Sequence, residues 1–305
     1  MKIKGLYPTR GIVISLFVAV IAGIWDVWWH GAMGRDSFWE PPHIMLYFSV
    51  ILAVILGVVG YIQTKEKLLK RLVLVLLVIP LAGPFDELWH RIFGIEDLSS
   101  PLIVWSPPHL AIIFALLTSF ILLLPLLRRD AKEWQIIFGA VVFSSILQLL
   151  LFLFAPFQPE GAWHLAGFFG TFFIGAVITG VLILAQRWIP HPAASLLTIA
   201  FFLMVAAIGF NEEIAEGVTI LPHEHPPAFL TVFSFMTAGV AVLVTKIWWK
   251  KAFAGVLWSV IIYSFSWIFF EPQFTYTFLQ GVIAIVSATI GSLMIVFILQ
   301  RRGLI

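Results

Sequence analysis

The residue types best suited to chemistry occur in two similar stretches of the chain. The first stretch reads Asp26-Val-Trp-Trp-His30, then a turn, then Trp39-Glu-Pro-Pro-His43, and the second reads Asp86-Glu-Leu-Trp-His90, then a turn, then Trp105-Ser-Pro-Pro-His109. Side chains four residues apart share a helix face, so each aspartate and the histidine after it would project side by side. One carboxylate with two imidazoles suits copper, iron, zinc or manganese. We therefore predict two metal sites, formed by Asp26, His30 and His43 and by Asp86, His90 and His109.

Paired prolines position the third ligand of each predicted site. Proline is tolerated in the first turn of a helix, because the first amides have no intrahelical partner. We therefore expect His43 and His109 in the first turn of a descending helix, at the depth where the preceding helix carries its aspartate and histidine. Each site then lies at the turn of a helical hairpin.

The composition indicates which elements carry these residues. The chain has 305 residues, of which 61% are hydrophobic and 11% charged, whereas a soluble domain carries about 25% charged residues. Apolar runs bounded by charges, proline or glycine predict an all-α, polytopic transmembrane bundle of about ten helices in five hairpins. The predicted helices cover residues 11–32, 43–62, 72–92, 109–127, 134–155, 163–186, 193–216, 227–246, 252–271 and 279–300.

The charged residues sort by side of the predicted bundle. All but two of the lysines and arginines lie on the side of the two termini, which the positive-inside rule assigns to the cytoplasm. Every acidic residue except Glu66, Asp130 and Glu133, and every histidine except His191, lies on the opposite side. We therefore predict a multi-pass protein of the cell membrane with both termini cytoplasmic and an extracytoplasmic metal face.

Several classes of function are excluded by what the sequence lacks. The absence of cysteine removes disulfides, thiolate metal sites and thiol nucleophiles. A net charge of +2 in so apolar a chain is explained by membrane topology, so we expect no nucleic-acid partner. No glycine-rich phosphate loop and no Ser/His/Asp nucleophile set is present in the sequence.

The later hairpins carry partial copies of the motif. Residues 1–127 hold the two complete motifs, and residues 128–305 supply six further helices of the same membrane domain. A solvated acidic rim or an exposed loop explains these later residues about as well as a metal site does. The secondary candidate ligands are Glu160, His164, Glu212, Glu216, His223 and His225.

The first motif resembles the C subunit of the copper membrane monooxygenases, which include particulate methane and ammonia monooxygenases. The matching string is Asp26-x-x-Trp-His30 followed by Arg35-Asp36-Ser-Phe-Trp-Glu-Pro-Pro-His43-Ile44, and the similarity extends through Gly83-Pro84-Phe85, covering roughly residues 20–127. The resemblance implies two copper sites. Their ligands would be Asp26, His30 and His43, and Asp86, His90 and His109, with Asp86 where the family has asparagine.

The resemblance also implies an activity and partners. At copper, the family oxidises a small apolar substrate with O2, in a complex with other membrane subunits. The expected partners are therefore the lipid bilayer and either other oxidoreductase subunits or further copies of the chain. Alternatives from the residues alone are acquisition or transport of a divalent metal, zinc or iron in place of copper, and haem bound between paired histidines. A silent structural or assembly role in a larger oxidase is a further alternative.

Overall fold

The structure is a computed structural model that describes residues 6–33, 39–93, 102–154, 167–215, 228–265 and 277–305. These residues form helices and no strand. A 3-10 turn, Trp248–Ala252, precedes α11, and a π-helical turn, Ile261–Phe265, follows it. The α-helices are α1 (Leu6–Ala32), α2 (Pro41–Thr64), α3 (Lys67–Leu76), α4 (Val78–Phe93), α5 (Leu102–Trp105), α6 (Pro107–Leu127), α7 (Lys132–Phe154), α8 (Gly167–Trp188), α9 (Ala194–Ala215), α10 (Ala228–Val244), α11 (Phe253–Val260) and α12 (Phe278–Arg301).

The predicted all-α class is confirmed, and each predicted run coincides with helix in the described part of the chain. Two shorter apolar helices cover Ala194–Ala207 and Leu230–Val244. The chain is therefore a multi-pass helical membrane protein. The seven helical stretches long and apolar enough to cross a membrane are Pro8–Trp29, Pro41–Thr64, Lys67–Phe93, Pro107–Leu127, Lys132–Phe154, Phe169–Trp188 and Phe278–Arg301.

The third span begins earlier than the hydrophobic run predicts. Its first part, α3, buries Leu69, Leu72 and Leu76 at intervals of three and four residues and exposes Lys67 and Lys70. Charged residues on one face let an amphipathic helix extend past the end of the apolar run. Hydropathy alone therefore places this helix start too late.

The described helices divide into two units. The first contains α1 to α6 and α7 as far as Leu149, together with Val205–Glu212 of α9. In this unit α1 runs antiparallel to α2, because Gly11 near the start of α1 lies against Leu56 near the end of α2, whereas Asp26 lies beside His43 at the opposite ends. Helix α4 packs against α6 in the same unit.

The second unit is built on close contact between α8 and α12. A Cβ atom added at Gly175 would lie 2.4 Å from the carbonyl oxygen of Ala288, and one added at Gly291 would lie 2.0 Å from that of Phe172. Only glycine permits this approach, which is the usual way that membrane helices gain packing contacts without a hydrophobic driving force. Helix α11 joins them through the amide of Gly255, which donates to Thr179 at 3.0 Å.

A partly buried ion pair lies at the end of the first unit opposite Asp26 and His43. The Arg10 guanidinium donates to Asp130 from both Nε (2.8 Å) and Nη2 (2.6 Å), and it lies 4.3 Å from the centre of the Trp134 ring. The Asp130 side chain is 1% exposed. Burial alone would raise the pKa of Asp130, but the hydrogen bonds from Arg10 and from the Ala131 amide outweigh it and hold that pKa below its ordinary value.

We expect Asp130→Asn to destabilise the protein by about 1.5–3 kcal/mol, since it removes charge-assisted hydrogen bonds and leaves Arg10 without its carboxylate. A carboxyl whose pKa is lowered by folding contributes stability that is fully present above its unfolded-state pKa. That contribution is lost as the pH falls through the lower folded-state pKa. Thermal unfolding in detergent micelles should therefore show the wild-type advantage disappearing as the pH falls below 3.8.

The control is Glu66→Gln, which breaks the ion pair between Glu66 and Arg129 at the same end of the unit. That pair is more exposed, at 27% for Glu66 and 49% for Arg129, so its loss should cost no more than about 1 kcal/mol. Equal losses of stability in the two variants would contradict a special role for Asp130.

Candidate metal centres

The second centre consists of Asp86 and His90 on α4 and His109 on α6. The Oδ1 atom of Asp86 lies 3.3 Å from Nε2 of His90 and 3.1 Å from Nε2 of His109. Asp86 is 4% exposed and His90 9% exposed. The donor atoms of all three residues lie within 4.8 Å of one another, so the group could hold a metal ion.

The local sequence explains how the second centre is positioned. Asp86 and His90 are one turn apart in the second half of α4, as their spacing predicts. Pro107 and Pro108 open α6 after the N-cap residue Ser106, and the Leu110 amide donates the first helical hydrogen bond to the Ser106 carbonyl at 3.0 Å. His109 therefore lies in the first turn of α6, where the paired prolines predict it.

The first centre consists of Asp26 on α1 with Glu40 and His43 at the start of α2. Nε2 of His43 lies 3.1 Å from Oδ1 of Asp26. Glu40 is 5% exposed and His43 8% exposed, and the donor atoms of the three residues lie within 4.8 Å of one another. This group too could hold a metal ion.

Glu40 was not among the predicted ligands. The signal for it in the sequence is its place three residues before His43, separated from it only by the two prolines that start α2. His30 lies in α1, but its side chain is outside the described part of the structure. The prediction that His30 joins Asp26 and His43 therefore stays a prediction.

The secondary candidates fall outside the described part of the chain. Glu160, His164, Glu216, His223 and His225 lie beyond the described ranges. Glu212 lies in α9, at a position where the side chain is not described. Their predicted roles stay predictions.

Tyr47 lies close to residues of both neighbourhoods. Its ring lies 6.4 Å from that of His43, edge to face and one turn further along α2. The same ring reaches α4, where a Cβ atom added at Gly83 would lie 2.6 Å from the tyrosine hydroxyl oxygen. Gly83 is three residues before Asp86. The two centres therefore lie at the same end of the first unit, with one aromatic ring in contact with both neighbourhoods.

The acidic residue next to Asp86 has a different environment. Glu87 accepts a hydrogen bond from Arg91 at 2.8 Å, and this pair has side chains 31% and 75% exposed. Of two adjacent carboxylates on α4, one therefore belongs to the buried centre and the other to a surface ion pair.

The fold and the two centres together define a class: a multi-pass helical membrane protein with two groups of histidine and carboxylate side chains that could bind metal ions. Comparison of the chain with models of known protein families, with curated proteins and with solved structures returns no match.

Proposed function

We propose that the protein is a metal-binding membrane protein whose second centre holds copper. The observation that carries this proposal is the convergence of two imidazole Nε2 atoms and one buried carboxylate oxygen from two helices onto a common position. Ionisable groups inside a membrane protein cost about 2.5–3.5 kcal/mol each at mid-bilayer, so a buried group of three needs a compensating role.

The donor set fits copper. Imidazole nitrogen is a good ligand for copper, zinc and iron, and the carboxylate supplies a negative charge that favours the higher oxidation state of a redox metal. Copper bound there would supply one-electron chemistry with O2. The protein residues would orient that ion: Asp86 and His90 from one face of α4, and His109 from the start of α6.

The resemblance to the C subunit of the copper membrane monooxygenases supports a more specific proposal. In it, the protein oxidises a small apolar substrate with O2, in the cell membrane and with the metal face extracytoplasmic. Its partners are other oxidoreductase subunits or further copies of the chain. The resemblance favours this activity over metal acquisition.

The test is an element-resolved metal analysis of the full chain purified in detergent, combined with optical and electron paramagnetic resonance spectra. We expect copper in the preparation, a Cu²⁺ signal with nitrogen hyperfine structure from histidine, and loss of the second centre's share of that signal in the His90→Ala variant. Preparations without copper, before and after incubation with Cu²⁺, would overturn the copper assignment.

The same spectra distinguish the alternatives. A Soret band would indicate haem. Zinc or iron in stoichiometric amount would support metal binding at these residues but replace copper as the bound metal. A separate assay, uptake of metal by proteoliposomes, would indicate transport.

A further inference from the structure

The two centres differ at one position of their shared motif. The residue just before the paired prolines is Glu40 in the first centre and Ser106 in the second. Both are N-cap residues with extended backbone, and neither side chain makes a capping hydrogen bond. An N-cap side chain normally accepts from the second or third amide of the helix, but proline at the second position has no N–H. The Glu40 carboxylate is therefore not engaged in capping α2.

The Glu40 carboxylate is buried beside other ligand atoms. Glu40 is 5% exposed, and its donor oxygen lies within 4.8 Å of donor atoms of Asp26 and His43. A cation between two carboxylates this close together would be bound by both, and the neighbouring imidazole provides a further ligand for it.

We propose that Glu40 is a metal ligand of the first centre and that it gives the two centres different metal preferences. The first centre favours a harder divalent ion, such as Mn²⁺, relative to the second. This inference rests on the proposed function in one respect, namely that the centres bind metal ions at all.

The described donors support this difference. The first centre offers two carboxylates and one imidazole, whereas the second offers one carboxylate and two imidazoles. Carboxylate oxygen suits manganese and other hard ions, and imidazole nitrogen suits copper and zinc. If the predicted ligand His30 is added, the first centre still has one more carboxylate, and hence one more negative charge, than the second.

The preference is a ratio of affinities. Cu²⁺ binds most nitrogen and oxygen sites more tightly than Mn²⁺ does, whatever the protein. The contribution of Glu40 to metal preference is therefore measured by the Kd for Mn²⁺ divided by the Kd for Cu²⁺, determined at each centre separately. We expect this ratio to be smaller at the first centre by about tenfold or more.

The experiment uses the full chain in detergent, stripped of metal and titrated with MnCl2 or with CuSO4 in the presence of a competing chelator. His109→Ala isolates the first centre, and His43→Ala isolates the second. On the first background, Glu40→Gln should raise the Mn²⁺ Kd by about tenfold or more and the Cu²⁺ Kd by less. On the second background, Ser106→Glu should lower the Mn²⁺ Kd selectively.

Folding is controlled within the same molecule. Glu40→Gln in the otherwise wild-type chain should leave binding at the second centre unchanged, and Glu40→Asp, which keeps the carboxylate, should retain more of the Mn²⁺ preference than Glu40→Gln does. If Glu40→Gln fails to fold, the comparison of Glu40→Asp with wild type and the gain in Ser106→Glu decide the question.

The outcomes separate the two proposals. Equal Kd ratios at the two centres, or a Glu40→Gln variant with both Kd values unchanged or raised by the same factor, would overturn the role of Glu40 and leave the metal-binding proposal standing. If neither Mn²⁺ nor Cu²⁺ binds the wild-type protein, the proposed function itself is overturned.

Discussion

Replacing Asp86 with alanine is expected to abolish stoichiometric metal binding at the second centre. Its Oδ1 atom lies 3.3 Å from Nε2 of His90 and 3.1 Å from Nε2 of His109, so its loss removes a ligand and the carboxylate that both histidines share. Removal of a residue that merely orients a ligand already costs about 10- to 100-fold in metal affinity. We therefore expect the Kd for Cu²⁺ to rise by about a hundredfold or more.

The matched control is Glu87→Ala. It removes the neighbouring carboxylate on the same helix, with the same change of charge, but from an exposed pair with Arg91. A chelator-competition titration of the two variants should show a large loss for Asp86→Ala and a change of less than about threefold for Glu87→Ala, since an exposed ion pair contributes little. Equal losses would mean that general electrostatic attraction, rather than ligation, holds the metal.

Gly83→Ala adds a single methyl group and is expected to weaken metal binding at both centres. The added Cβ would lie 2.6 Å from the Tyr47 hydroxyl oxygen and 2.8 Å from the ring carbon that carries it, so the ring must move. Displacing that ring disturbs its contact with His43 and the spacing of α2 from the turn of α4 that precedes Asp86. Overpacking of this kind costs about 1–3 kcal/mol, more than the roughly 1 kcal/mol that alanine gains over glycine in a helix.

The equivalent glycine of the first motif provides the control for this substitution. Gly23 is three residues before Asp26, as Gly83 is three residues before Asp86, but a Cβ atom added at Gly23 meets nothing within 4 Å. We therefore expect Gly23→Ala to stabilise the protein slightly and to leave Cu²⁺ binding unchanged. Thermal unfolding and metal titration check both variants.

A double-mutant cycle between Gly83 and Tyr47 tests whether the clash with the tyrosine ring causes the effect of Gly83→Ala. If the clash with the ring is responsible, Gly83→Ala should have little effect in a Tyr47→Ala background. A penalty of undiminished size in that background would show that Tyr47 is not the residue through which Gly83 acts.

The helices could be predicted because lipid exposure imposes a strong compositional signal. A membrane-spanning helix must be apolar over about 20 residues, and each run identified by that rule is helical in the described part of the chain. The rule placed the start of α3 too late, because Lys67 and Lys70 lie on the exposed face of an amphipathic helix. Its burial pattern depends on neighbouring helices, which hydropathy does not consider.

The arrangement of the candidate site followed from helical periodicity only where its residues share a helix or a proline-initiated turn. Asp86 and His90 are such a pair, and the placement of His109 follows from the two prolines before it. Glu40 escaped prediction because an acidic residue before Pro-Pro is typical of an ordinary turn. Its membership depends on α1 bringing Asp26 beside it. The contact of Tyr47 with Gly83 is likewise a property of packing between helices.

The division of the second centre between α4 and α6 also affects assembly. Asp86 and His90 come from the first of these helices and His109 from the second, so an ion bound to all three would act as a cross-link between the two helices. An ion that binds only the assembled pair stabilises it by about 2.7 kcal/mol at a free concentration one hundred times its Kd. Metal supply would then govern how firmly these two helices hold together in the bilayer, besides any chemistry that the ion performs.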